Sequence, residues 1–157
     1  MAAGRHAGIR AHGLEVTVPD RWEARLFVRD RMRVDDEASR PVLHLGNFAL
    51  PPGRGDFGSG AVELMAAPHA FVALLEYSAA EAGTALFADR GIPRPTLPDF
   101  APNALQRRLP GQLGCQRFFT HNGRAFCLYV VLGSRRHART LIPDVHHVLD
   151  NVTVGAR

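Results

Sequence analysis

The sequence predicts an α+β domain built on an antiparallel sheet with both faces covered, and three stretches carry that prediction. The first is Cys115 to Gly133, where Asn122-Gly123 separates two runs of aromatic and β-branched residues. Asn-Gly tolerates positive φ at both central positions of a type I′ turn and is the strongest short-range hairpin signal. The second is Ala70 to Tyr77, nearly all apolar, as a central strand buried on both sides should be. The third is Leu141, Ile142, Val145, Val148 and Leu149, whose i, i+1, i+4, i+7, i+8 spacing makes one apolar stripe on a helix.

A two-residue turn sets the hairpin register: His121 opposite Arg124, Phe119 opposite Phe126, Arg117 opposite Leu128 and Cys115 opposite Val130. Side chains alternate across the pleat. One face then carries Cys115, Phe119, Phe126, Leu128, Val130 and Leu132, and the other Phe118, Cys127, Tyr129 and Val131. Both are apolar, so neither should meet water. The two cysteines then fall on opposite faces and should not pair, although a three-residue loop would flip one strand and undo that separation.

A chain of 157 residues reads as one domain, with a polar, mobile leader at 1–11 and the domain over 12–157. No apolar run resembles a signal peptide or a membrane span, and the two cysteines suit a reducing compartment, so the expectation is a soluble cytoplasmic protein. The net charge is +4 and every basic residue is arginine, a bias that a GC-rich bacterial genome explains. The arginines are scattered, with pairs only at Arg107-Arg108 and Arg135-Arg136, and the aromatics sit in strand patterns. A nucleic-acid binder would cluster its charge beside stacking aromatics, so that class is disfavoured.

In chain order, Leu14 to Val18 alternates with period two and stops at Pro19-Asp20, a strand ending in a turn. Trp22 to Val28 is a second strand anchored by Trp22. Arg29 to Arg40 is charged and reads as an exposed loop; Asp35, Asp36 and Glu37 lack the alternating ligands and glycine of a calcium loop. Val42 to Leu50 is the third strand. Pro52 to Gly60 is glycine-rich but lacks the Gly-Lys-Ser/Thr of a P-loop and the spacing of a dinucleotide fingerprint, and a short helix capped by Ser59 or Gly60 runs to Met65. Ser78 to Ala88 reads as a short helix. Gly91 to Gly114 contains five prolines and is irregular, with a possible helical turn at Asn103 to Arg108. A connection of that length is either functional or packed as cover. The last helix should start near Arg139 or Thr140, so that Pro143 falls in its first turn, and Val152 to Val154 closes the domain as a strand.

Catalytic and metal signatures are missing from the sequence. None of the eight histidines has zinc-ligand spacing, His146 and His147 being adjacent rather than i, i+4. No serine sits in a nucleophile elbow, and Cys127 falls among apolar neighbours. No cofactor is implied. Glu76, alone at the end of an apolar strand, is either a general base or, the reading preferred here, an acid at the sheet rim paired with an arginine.

The two ends of the chain carry a resemblance. Leu14-Glu-Val-Thr-Val-Pro-Asp-Arg-Trp22, a strand running through a proline turn into tryptophan, is similar to the start of the PsbP-like superfamily. Phe126 to Gly133, then a loop, a helix ending at Val148-Leu149 and a strand at Val152 to Val154, is similar to its end. Pro41 to Leu50 and Leu105 to Gly133 also resemble a group of uncharacterised proteins of high-GC bacteria. The first resemblance implies an α/β/α sandwich, an antiparallel sheet with helices on both faces. It also implies a binding or assembly factor rather than an enzyme, and it carries over no site.

Two functional expectations follow. In the first, the chain is a non-catalytic adaptor that binds another protein through the proline-rich loop and its arginines, with Arg94, Pro95, Pro98, Arg107 and Arg108 as contact residues; an exposed apolar or arginine-rimmed patch is then expected. In the second, it binds a small ligand, or is an enzyme, with a pocket beneath the Gly53 to Gly60 loop and with Arg54, Asp56, Glu76, Arg117 and His121 as ligand residues.

Overall fold

The computed structural model describes residues 7–29 and 40–156. Asp35, Asp36 and Glu37 lie outside those residues. Two antiparallel sheets make the framework. β1 (Ala7–Ala11), β2 (Leu14–Val18) and β8 (Val152–Val154) form a three-stranded sheet in the order β1-β2-β8. β3 (Glu23–Val28), β4 (Pro41–Gly46), β5 (Ala70–Glu76), β6 (Leu113–His121) and β7 (Arg124–Leu132) form a five-stranded sheet in the order β3-β4-β5-β7-β6. Residues 7–11, expected to be part of a mobile leader, pair along their whole length with β2 through a His12-Gly13 turn.

The β6–β7 hairpin has the register that its Asn-Gly turn dictates, with His121 opposite Arg124, Phe119 opposite Phe126 and Cys115 opposite Val130. Asn122 and Gly123 have φ of 51° and 72°. Its two faces separate as the alternation requires. Cys115, Phe119, Phe126, Leu128, Val130 and Leu132 enter one core, and Cys127, Tyr129 and Val131 a second, with Phe118 packed against it.

The covering layers differ from those expected. A sheet with helices on both faces is not what the chain forms: the described residues contain one α-helix, α1 (Ala138–Asp150), and two sheets. On the first face α1 packs its stripe, Leu141, Ile142, Val145, Val148 and Leu149, beside the inward residues of the small sheet, Leu14, Val16, Val152 and Val154. On the second face the cover is loop: Leu50, Ala61 and Val62, with Phe57, Met65, Leu105 and Leu109 partly buried against them. Two apolar faces demand cover, but they do not demand helices.

Glycine and proline explain why the segments over the second face stay irregular. The helix expected to end at Met65 is a single 3-10 turn at Val62–Leu64. Ser78 to Ala88 splits into 3-10 turns at Ala79–Glu81 and Ala85–Phe87, because Gly83 between them adopts φ of 76°, which ends a right-handed helix. The Thr120 hydroxyl of β6 holds that break open to the sheet: its Oγ1 accepts from Gly83 N at 2.9 Å and donates to the Phe87 carbonyl at 2.7 Å. β4 stops at Gly46 rather than Leu50 because Asn47 turns away, its Oδ1 accepting from Ala70 N at 2.7 Å at the start of β5.

Candidate functional site

At the hairpin end of the large sheet, Arg124 opens β7 beside Glu76, which closes β5. Both side chains are almost wholly buried. Arg124 Nε donates to Glu76 Oε2 at 2.8 Å and Nη2 to Oε1 at 3.0 Å, a bidentate pair. The remaining donors go to backbone carbonyls: Nη1 to Gly13 and Gly155 at 3.2 and 3.0 Å, Nη2 to His12 at 2.9 Å. All five N–H groups of the guanidinium are thereby used. The group approaches so closely that a Cβ at Gly13 would sit 2.5 Å from Nη1, which reserves that turn position for glycine. Glu76 thus pairs with an arginine, as read from the sequence, but inside the protein rather than at an exposed rim.

Beneath the glycine-rich segment, His44 of β4 is fully buried between the edges of Phe27 and Phe71. Its Nδ1 accepts from Arg54 Nε at 3.0 Å, so Nε2 carries the proton and donates to the Asp56 carbonyl at 2.7 Å. Burial, reinforced by the Arg54 charge, lowers its pKa to about 4, and the ring is neutral at ordinary pH. The Asp56 carboxylate lies 3.4 Å from Arg29. Arg54 and Asp56 are therefore parts of a structural network that ties the loop to β4. Burial likewise pushes the thiols of Cys115 and Cys127 up to about 11, which suppresses the reactive thiolate.

The other expected ligand residues do not converge. Arg117 pairs with Asp99, and His121 sits half-buried near the hairpin turn opposite Arg124. The cavity beneath the Gly53 to Gly60 loop has a volume of about 100 Å³ and is walled by Phe57, Leu105, Tyr129 and Val131; Glu76, Arg117 and His121 are not among its walls.

The proline-rich segment is packed cover over much of its length. Pro95 is buried, and its carbonyl accepts from His146 Nε2 of α1 at 2.6 Å. Arg94 pairs with Asp150 at the end of α1, Arg107 with Glu63 at 3.6 Å, and Pro98 is exposed in the 3-10 turn Leu97–Asp99. Arg108 differs. It is exposed, makes no ion pair or hydrogen bond among the described residues, and borders an open cleft of about 540 Å³.

That cleft lies at the sheet end opposite the hairpin turn, where β6 starts and β7 has just ended. Pro102, Leu109, Pro110 and Leu113 give it an apolar floor, and Arg135, exposed and likewise unpaired among the described residues, stands with Arg108 at its margin. Gln112, buried there, donates from Nε2 to the Val62 carbonyl at 2.7 Å, while its Oε1 has no partner among the described residues. Arg136 and Arg139 follow Arg135 in the chain, both exposed. The sequence marked Arg108 and Arg135 as members of the only arginine pairs, but their common cleft depends on the antiparallel neighbours β6 and β7 and has no local pattern.

Among the described residues no group of three or more histidine, cysteine, aspartate or glutamate side chains could hold a metal ion, and no helix is long and apolar enough to cross a membrane. No protein-family model matches the chain, and neither curated proteins nor solved structures gave a match to it.

Proposed function

We propose that this chain is a non-catalytic adaptor that binds an acidic, partly apolar segment of another protein in the cleft between residues 102–113 and Arg135. The observation that carries this reading is the pair Arg108 and Arg135, two unpaired guanidinium groups over an apolar floor. A permanently charged planar fork recognises carboxylates well, and arginine is favoured at protein interfaces for that reason. The net charge of +4 adds long-range attraction for an acidic partner. The residues whose chemistry suits catalysis are committed elsewhere: Glu76 to Arg124, His44 to Arg54 and Asp56, the thiols to the two cores. The cavity beneath the glycine-rich loop, about 100 Å³, is well below the roughly 300 Å³ at which ligand pockets begin, which favours the adaptor over a pocket at that place. Two buried, unpaired cysteines favour a cytoplasmic setting.

Fluorescence anisotropy of a labelled synthetic peptide of alternating glutamate and leucine tests the proposal, with a lysine–leucine peptide as control. Saturable binding of the acidic peptide alone, weakened as salt is added and abolished by Arg108→Glu with Arg135→Glu, is the expected result. No binding, or binding indifferent to the double substitution, would overturn it.

A further inference from the structure

A second cleft opens at the same end of the large sheet, on the side of β3 and β4, with a volume of about 550 Å³. The turn between β2 and β3 supplies Asp20, Arg21 and Trp22, the segment before β5 supplies His69, and α1 supplies Asp144 and His147, which share a helix face at i, i+3. Asn47 fixes the floor, its Nδ2 donating to the Pro68 carbonyl at 3.2 Å and its Oδ1 accepting from Ala70 N at 2.7 Å.

The groups around this cleft are uncommitted in a way that the interior groups are not. Asp20, Arg21, Asp144 and His147 are all exposed, and none makes a side-chain hydrogen bond or ion pair among the described residues. His69 accepts from Ala66 N at Nδ1, 2.9 Å, and stacks on Phe48, so its Nε2 carries a proton and has no partner among the described residues. Trp22, the one tryptophan of the chain, is only half-buried and forms part of the wall. Arg21 has φ of 69° at the third position of the turn closed by Trp22 N to the Pro19 carbonyl at 3.2 Å. That position favours glycine; the two other non-glycine residues with positive φ among the described residues, His12 and Asn122, each precede a glycine in a hairpin turn. An arginine held there is strained backbone at the edge of a cavity.

The chemical class follows from the donor and acceptor inventory. Asp20 and Asp144 only accept, Arg21 and the His69 Nε2–H only donate, and His147 can do either. A carboxylate ligand would meet two like charges, and an ammonium ligand, though drawn to the two carboxylates, would leave Arg21 and the His69 Nε2–H without an acceptor. Hydroxyl groups donate and accept, and a ring of C–H bonds lies flat on an aromatic face. We propose that this cleft binds a neutral polyhydroxylated ring, that is, a carbohydrate of one or two sugar units, with Trp22 as the platform and Asp20 and Asp144 as hydroxyl acceptors. This site is separate from the arginine-rimmed cleft and does not rest on the adaptor reading.

Because Trp22 is the sole tryptophan, its fluorescence reports on this cleft directly. Titration with glucose, maltose, cellobiose, lactose and N-acetylglucosamine, with spermidine and citrate as charged controls, should give a saturable change for at least one sugar and for neither control. Asp144→Ala, an exposed site on a helix where alanine is well tolerated, should weaken that sugar by about tenfold or more, the usual loss for a hydrogen bond to a charged group. Arg90→Gln, an exposed site that lines neither cleft, should leave the titration unchanged. Silence to every sugar, saturation by spermidine or citrate instead, or a sugar response unaffected by both Asp144→Ala and Asp20→Ala would each overturn the proposal.

Discussion

At the end of the large sheet where β6 turns into β7, one arginine meets one glutamate and the guanidinium spends all its donors on Glu76, His12, Gly13 and Gly155. At the opposite end Arg21, Arg108 and Arg135 stand around two clefts with no ion pair among the described residues. The residue type is the same and the role is reversed. Arg124 is buried, so each unmet N–H would be costly, and the fold brings the turn of the small sheet and the chain after β8 to satisfy it. The other three are exposed and remain hydrated. Burial, more than residue type, separates a committed charge from a hydrated one here.

The buried pair can be broken most severely. Arg124→Met takes from Glu76 its buried bidentate partner and should cost about 3–5 kcal/mol in urea unfolding; a loss below about 1 kcal/mol would mean that water reaches the pair. Replacing both partners, Glu76→Leu with Arg124→Met, removes both buried charges and should recover part of that loss. Recovery should be incomplete, since the carbonyls of His12, Gly13 and Gly155 lose their donors.

His44 offers a test of intermediate size. Its pKa falls from 6.5 to about 4 on folding, so below pH 6.5 the unfolded chain takes up a proton that the folded chain resists. The contribution of neutral His44 is whole above pH 6.5, declines as pH falls towards about 4, and amounts to about 3 kcal/mol. His44→Gln should unfold more readily at neutral pH but lose this slope, visible as a smaller change in urea midpoint between the two pH values. An equal slope in both proteins would show that His44 is not held neutral. The thiols give a kinetic counterpart: with Cys115 and Cys127 raised from 9.0 to about 11, the thiolate fraction is about a hundredfold lower and alkylation of the native protein should wait for unfolding. Rapid native-state labelling would contradict the buried setting of both.

The smallest effect belongs to the open end. Arg108→Glu and Asp144→Ala should change unfolding stability by no more than about 0.5 kcal/mol, because neither side chain has a partner to lose among the described residues. A larger loss would mean that these residues serve the fold.

The hairpin was legible in the sequence because turn chemistry and alternation are local: Asn122-Gly123 sets the register, and the register sorts Cys115 from Cys127. The stripe of α1 was legible for the same reason. The covering layers were not. Apolar residues at Phe57, Val62, Leu105 and Leu109 serve as cover without helical spacing, held by glycine turns and by side-chain bonds such as Gln112 to Val62 and Tyr129, which accepts from Gln106 N at 2.9 Å. β1 was read as leader because Ala7 to Ala11 shows almost no apolar alternation; it is an edge strand whose partner, β2, supplies the buried residues. The clefts were least legible, since Arg108 meets Arg135 and Trp22 meets Asp144 only through strand order and the placement of α1.

The most direct measurement of the contrast between the two ends is a map of amide chemical-shift changes in the isotope-labelled protein as the glutamate–leucine peptide is added. Shifts confined to residues 102–113 and 133–139, with the Asn122 to Arg124 turn silent, are the predicted result. Shifts centred on that turn, or none at saturating peptide, would contradict the assignment of recognition to the open end.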